Sequence, residues 1–258
     1  MNLDLDGRRV LITGGSKGIG LACAKAFRAE GALVAIASRS DANLAAARAV
    51  LGEAITVAAD FADAAAARAA VDRVEAALGP IDILVTSAGA ARRTPPDELT
   101  PEAWRAAMDA KYFTSINAID PVVKLMAARG RGVIVNIIGN GGKVASPIHL
   151  PGGAANAALM LATAGLANAY APKGVRIVGI NPGLTQTTRV AEGMRAEAAQ
   201  RGITEAEALQ RSIERIPLGR LAEAEEIAAV VVFAASPRAS YLTGTIITMD
   251  GASSPVVV

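Results

Sequence analysis

The chain has one cysteine, one histidine and one tryptophan in 258 residues, and aromatic residues make up only 3% of it. The lone Cys23 allows no internal disulfide and no cysteine-built cluster, so no metal is expected. One cysteine without a secretory leader pattern points to a reducing compartment, the cytoplasm. So few aromatics offer no stacking platform for nucleic acid. A balance of 26 basic against 24 acidic residues, net +2, offers no field for a phosphate backbone. No repeat, charge block or Pro/Ser-rich linker divides the chain. Nor is a membrane span expected. The most apolar long stretch, 154–171, is interrupted by Asn156 and Asn168 and bounded by Gly152, Gly153 and Pro172. It is apolar nearly all round, which fits a buried helix with a sheet on one side and another helix, such as one from a second subunit, on the other.

What the chain does have is apolar residues, 52% of the total, arranged in short runs that alternate with longer Ala-rich segments. Strands are expected at 10–13, 33–37, 55–58, 81–86, 133–137, 175–180 and 246–249. Helices are expected near 18–30, 42–51, 63–78, 101–129, 154–170 and 224–235. This alternation implies βαβ units. The fold class is α/β: a single-domain Rossmann fold over residues 1–258, with a doubly wound seven-stranded parallel sheet flanked by helices. In such sheets ligands sit beyond the carboxyl ends of the strands, so the chemistry should lie just after each one.

The first strand runs into Thr13-Gly14-Gly15-Ser16-Lys17-Gly18-Ile19-Gly20 and then a helix. Glycines here permit a tight turn and let backbone N–H groups approach a pyrophosphate, and the helix N-terminus adds partial positive charge. The spacing of Gly14, Gly18 and Gly20, with Thr13 and Ile19, resembles the short-chain dehydrogenase/reductase family. The resemblance continues through Asp60 and Phe61 after the third strand and Ser87-Ala88-Gly89 after the fourth. It then takes in Asn181-Pro182-Gly183-Leu184-Thr185-Gln186-Thr187 after the sixth, and Pro217-Leu218-Gly219-Arg220, Tyr241-Leu242-Thr243-Gly244 and Met249-Asp250-Gly251 near the end. It implies that Gly14, Ser16, Lys17, Gly18, Ile19, Gly20, Asp60, Phe61, Ser87, Ala88, Gly89, Asn156, Pro182, Gly183, Thr185 and Thr187 line a dinucleotide. An acidic residue at the end of the second strand would bind a ribose 2′-hydroxyl, but Ser38 stands there and Arg39 follows. With Lys17, Arg39 suits a 2′-phosphate, so the expected cofactor is NADP(H), although both cations could also be merely solvated.

The family's chemistry uses a Tyr to move the hydroxyl proton, a Lys that lowers its pKa, a Ser that polarises the substrate oxygen and a supporting Asn. Anchored on Asn156-Ala157-Ala158-Leu159, the Tyr position falls on Gly152, the Lys position on Asn156, the Ser position on Gly139 and the Asn position on Lys111. Four residues after Tyr112, Tyr170 and Tyr241 stand Ile116, Gly174 and Thr245, so no Tyr-x-x-x-Lys exists in any register. Tyr170 lies at the far end of a helix about 25 Å long, out of reach of the nicotinamide.

His149, just before the missing Tyr, is the candidate surrogate acid or base; the plainer reading is an exposed loop histidine. Lys111 and Lys143 could serve if burial depressed their pKa, and Ser146 could be a displaced hydroxyl donor. Arg92 and Arg93, with Lys111 and Lys143, either present positive charge to an anionic small-molecule substrate or are simply solvated. Residues 187–216, charged and helical in pattern, read as a substrate lid. The apolar helix and the tail Pro255-Val256-Val257-Val258 suggest a homodimer or homotetramer. Three readings stay open: a short-chain oxidoreductase with impaired or unusual proton transfer, a non-redox lyase or isomerase, and an inactive nucleotide-binding sensor or subunit.

Overall fold

The structure, a computed structural model, describes residues 1–256, and of Glu192 only the backbone. Seven parallel strands form one sheet in the order β3-β2-β1-β4-β5-β6-β7. They are β1 Arg9–Thr13, β2 Leu33–Ser38, β3 Ile55–Ala58, β4 Ile83–Thr86, β5 Gly132–Ile137, β6 Val175–Pro182 and β7 Ile246–Met249. The chain winds outward from β1 to β3, then restarts beside β1 with β4. That reversal opens a crevice between β1 and β4 at the carboxyl edge. Thr13 pairs with both Ala37 and Thr86, and Thr86 with Asn136, so four strands end level there.

Successive strand residues point to opposite faces, and both faces are covered. Val10, Ile12, Val34, Ile36 and Val135 join one core with helices α1 (Gly18–Ala29), α2 (Asp41–Leu51) and α9 (Ala224–Ala235). Leu11, Ala35, Ala37, Ile134 and Ile177 join the other, with α3 (Ala64–Leu78), α5 (Thr114–Ala128) and α6 (Leu150–Tyr170). This two-sided burial is why the strands read as unbroken apolar runs.

Two segments differ from expectation. The helix expected over 101–129 is split into α4 (Pro101–Ala107), a π-helical stretch Met108–Phe113 and α5. Thr114 Oγ1 donates to the Asp109 carbonyl at 2.8 Å, five residues back, across the widened turn. Second, α6 begins at Leu150 rather than near 154, because Pro151 starts a helix well and Gly152 and Gly153 are held inside it. Within the single chain α6 is covered on its sheet side, where Leu159, Thr163 and Ala167 are buried, while Leu161 on the other side is 77% exposed, the side expected to need cover from another helix. Residues 187–216 form α7 (Thr188–Arg201) and α8 (Glu205–Glu214), which share a small core of Met194, Ala198 and Ala208. Val257 and Val258 of the apolar tail lie outside the described residues.

Candidate functional site

The loops after β1, β2, β3, β4 and β6 meet at the carboxyl edge. Gly14 leaves β1 at φ +68°, a conformation that favours glycine, and a Cβ there would lie 2.7 Å from the Ala88 backbone nitrogen. A Cβ on Gly20 would overlap the Gly14 carbonyl. These two absent side chains let the β1–α1 turn close against residues 87–89. Thr13 Oγ1 fixes that approach by accepting from Ser87 and Ala88 N–H at 3.3 and 3.4 Å. Gly18 opens α1, and its Cβ would stand 3.3 Å from Thr187 Cγ2, so the loop after β6 faces the helix N-terminus. In that loop Thr185 Oγ1 donates to the Gly183 carbonyl at 3.2 Å, and Thr187 Oγ1 to the Thr185 carbonyl at 3.3 Å. Pro182 ends β6, and a Cβ on Gly183 would press on Asp250 at 2.8 Å.

At the β2 end, Ser16 Oγ donates to Ser38 Oγ at 3.0 Å, tying the glycine loop to the strand end. Lys17 and Arg39 flank this bond and are exposed. Asp60 Oδ1 accepts from Ala62 N–H at 3.0 Å, and Asn117 Nδ2 donates to the Phe61 and Ala62 carbonyls at 2.9 and 3.1 Å. Phe61 as a residue is 3% exposed and its ring belongs to the core, so the ring is not a ligand contact. Ile19 likewise packs on the core. These loops fit a dinucleotide: the glycines give it the close backbone approach that Cβ atoms would deny, against a helix N-terminus.

The adjoining pocket, over the ends of β4 and β5 and the start of α6, is built differently. Gly139 sits at φ +125°, where serine would be strained, and its Cβ would lie 3.2 Å from Asn156 Nδ2. A Cβ on Gly152 would collide with the His149 imidazole, 2.5 Å from Nε2 and 2.8 Å from Nδ1. His149 is therefore not an exposed loop residue: its ring is half-buried and fills the place where a side chain of residue 152 would project. The same ring borders Gly141, whose Cβ would lie 3.2 Å from its Cδ2 and 3.6 Å from Asn156 Nδ2. Lys111, on the π-helical stretch, donates to the Ile138 carbonyl at 3.4 Å, a long bond. Gly89, at φ +114°, lets the 87–89 loop rest on the Ala110 carbonyl beside it. Among the described residues, three buried side-chain atoms lack a hydrogen-bond partner: Asn140 Oδ1, His149 Nδ1 and Asn156 Oδ1. Buried orphan acceptors and donors cost free energy, and the His149 and Asn156 side chains, both beside Gly141, mark a place that suits a polar group.

Among the described residues, the charges that act on His149 and Lys111 are positive. Burial, then the positive charge of Arg189, lowers the Lys111 pKa to about 8. Burial, then Lys111, Arg93 and Arg189, push His149 down to about 4, so its imidazole is uncharged at neutral pH. Arg189, on α7, donates to the Gly89 carbonyl at 2.9 Å, and Arg93 lies against Gly193 of the same helix, its Nη2 3.1 Å from the Cβ position. Helix α7 thus brings Arg189 to the 87–89 loop. Sequence reasoning missed this contact because nothing local to residue 189 signals it; it also missed Asn140, whose Nδ2 donates to Asp250 and Ser254 at 2.8 and 2.5 Å. Other candidates diverge. Lys143 turns to Thr248 Oγ1 at 3.2 Å, Arg92 is exposed, and Tyr170 sits at the far end of α6 under Lys173.

Comparison with known proteins agrees with this architecture. The family model described as enoyl-(acyl carrier protein) reductase matches residues 14–253. Galactitol 2-dehydrogenase (L-tagatose-forming) of Cereibacter sphaeroides is 36% identical over 251 residues, covering 96% of this chain and 95% of its own. The L-sorbose reductase of Gluconobacter frateurii, complexed with NADPH and L-sorbose, superposes with a TM-score of 0.92 at 29% identity over all of both chains. A short chain oxidoreductase of Pseudomonas aeruginosa PAO1, NADPH-bound and described as containing an atypical catalytic center, gives a TM-score of 0.88 at 32% identity, over 98% of this chain and 99% of the other.

Proposed function

The chain belongs to the short-chain dehydrogenase/reductase family, and from that premise we propose that it is an NADP(H)-dependent oxidoreductase acting on a small carbonyl or alcohol substrate through an altered acid–base site. The observation that carries this reading is the crevice in which the Ser16–Ser38 bond stands where an acidic residue would meet a 2′-hydroxyl, flanked by Lys17 and Arg39. A 2′-phosphate matches two cations and two hydroxyls better than a free ribose does. The pyrophosphate is assigned to the N-terminus of α1 with Gly14, Gly18, Gly20 and Thr187. The adenine end is assigned to Asp60 and the backbone of Phe61, and the nicotinamide end to Ser87, Ala88, Gly89, Asn156, Pro182, Gly183 and Thr185. The bound nucleotide supplies or accepts hydride, and the protein binds, orients and handles the proton.

At the pocket the chain offers cations and an uncharged imidazole in place of a phenol. Arg93, Lys111 and Arg189 suit a substrate that carries negative charge. His149 offers a hydrogen bond to the substrate oxygen, in the volume that a side chain at Gly152 would take. The helices at 187–216 act as the lid. The exposed apolar face of α6 supports a homodimer or homotetramer, and the buried, unpaired Cys23 supports a cytoplasmic setting.

Calorimetric titration with NADPH and NADH, followed by a search for turnover among ketones and their carboxylated analogues, tests the reading. Tighter binding of NADPH, with turnover favouring anionic compounds, is the expected result. Equal affinity for the two nucleotides would overturn the cofactor assignment. Gly139 and Gly152 favour a second reading, a nucleotide-binding protein without redox turnover; NADPH binding with no hydride transfer to any compound would select it.

A further inference from the structure

Resting on the oxidoreductase reading above, we propose that Lys111 is the residue that exchanges a proton with the substrate oxygen, in place of a tyrosine. Its Nζ lies at the Ile138 carbonyl, at the carboxyl end of β5. The next residue, Gly139, faces the Asn156 carboxamide, and the His149 ring stands above Gly152. The His149 and Asn156 side chains come within 3.2 and 3.6 Å of the Gly141 Cβ position, each keeps an unpartnered atom, and the Lys111 charge acts on His149. An ammonium carries three donors; one reaches Ile138, and among the described residues the others have no partner.

The groups that face this spot can be separated by chemistry. Arg93 and Arg189 carry guanidinium groups, which attract negative charge but are not proton-exchange groups. His149 is uncharged at neutrality, and a neutral imidazole is a far weaker acid than an ammonium. Asn156 on α6 does not titrate, and Asp109, on the same π-helical stretch as Lys111, is exposed. Among the described residues that leaves Lys111, whose ammonium is brought by burial to lose its proton near pH 8. The family's Lys and Asn positions are occupied here by Asn156 and Lys111, so the two residue types stand exchanged. The cation has moved from α6 to the π-helical stretch.

The balance of the step is simple. In reduction the carbonyl carbon receives hydride from the nucleotide, and the π pair of the C=O bond passes to oxygen. That oxygen takes a proton from Lys111 Nζ, leaving a neutral amine that solvent reprotonates. Oxidation runs the same exchange in reverse, with neutral Lys111 as the base.

Lys111→Arg separates proton transfer from electrostatics, since it keeps the charge but cannot release a proton. The full-length protein and its Lys111→Arg, Lys111→Met and His149→Ala variants are titrated with NADPH by fluorescence. Each is then assayed across pH 6–10 on 2-oxobutanoate and butan-2-one. Amine titration by NMR after reductive methylation with ¹³C-formaldehyde, with Lys111→Met assigning the signal, gives a readout independent of turnover. The expected result is unchanged NADPH binding in all four proteins and an amine in the parent that titrates near 8. Turnover by both Lys111 variants should fall about 10²–10⁴-fold, while His149→Ala keeps the pH limb. A Lys111 amine that titrates like the surface lysines, or a Lys111→Arg variant as active as the parent, would overturn the proposal and leave the oxidoreductase reading standing. If the parent fails to bind NADPH, both fall. If no substrate turns over, the amine titration alone decides.

Discussion

The two halves of the carboxyl edge were built under different constraints. Around β1, β2 and β4 the chain keeps glycines where backbones touch, hydroxyls where loops are tied and cations beside the β2 end. Around β5 and α6 it has glycine at 139 and 152, and the freed volume is taken by side chains from other elements: His149 over Gly152, and Asn156 against Gly139. The first half is specified by absent side chains at fixed spacing. The second is specified by three-dimensional filling, in which Lys111 and Arg189 arrive from the π-helical stretch and α7. On the proposed reading, a nucleotide site persists while the chemistry beside it is altered, because the two halves share a sheet edge but few side chains.

Substitution in the nucleotide half should have the largest effect. Gly14→Val puts a β-branched side chain at φ +68° with its Cβ 2.7 Å from the Ala88 backbone. Strain and overpacking of about 1–3 kcal/mol each should weaken NADPH binding by about 100-fold, as read by titration. Retained affinity would mean that the β1–α1 turn is not where the nucleotide lies.

The second test converts the rebuilt half back. Gly152→Tyr with Asn156→Lys is the direct way to restore a family-like pair, but the His149 ring occupies the path of the new side chain. The double variant should gain no ketone reductase activity and should lose about 1–3 kcal/mol of stability in urea melts. Adding His149→Gly clears the volume and should yield measurable turnover. Activity in the double variant alone would show that the ring is easily displaced.

Arg39→Ala should weaken NADPH by about ten- to a hundredfold, the range for a lost charged hydrogen bond, and leave NADH unchanged. Equal effects on both would place Arg39 away from the 2′-phosphate. The smallest expected effect is on stability against pH. The folded pKa of His149, about 4, lies below its ordinary 6.5. Between those values the unfolded chain takes up a proton that the folded chain refuses, so this histidine makes stability fall as pH drops from 6.5 towards 4. For Lys111 the corresponding window is about 8 to 10.5, with stability again falling as pH drops through it. Thermal melts of His149→Asn should show a flatter acid limb by a few degrees. An unchanged limb would mean that the ring is solvated.

Much of this was legible in the chain. Both sheet faces are buried, so every strand left an apolar run, and each expected strand has its counterpart within two residues at either end. The glycine loop was legible because the turn's geometry forbids side chains at particular spacings. The break in the helix over 101–129 was not, because a π-helical turn leaves the apolar spacing of its neighbours intact. The environment of His149 was not legible either: local sequence showed a loop between Pro147 and Pro151, and only the fold turned the ring back over Gly152.

The sequence by itself determined that no tyrosine stands four residues before a lysine, and therefore that any proton must come from elsewhere. That is a fact of composition and order, independent of conformation. Only the tertiary structure decided which groups took over the vacated ground. Lys111 comes from the π-helical stretch, His149 and Asn156 from the N-cap and body of α6, and Arg189 from α7, and these elements meet beside the end of β5 only when the chain has packed. Their protonation is likewise set by burial and by each other's charge, neither of which exists until the chain has folded.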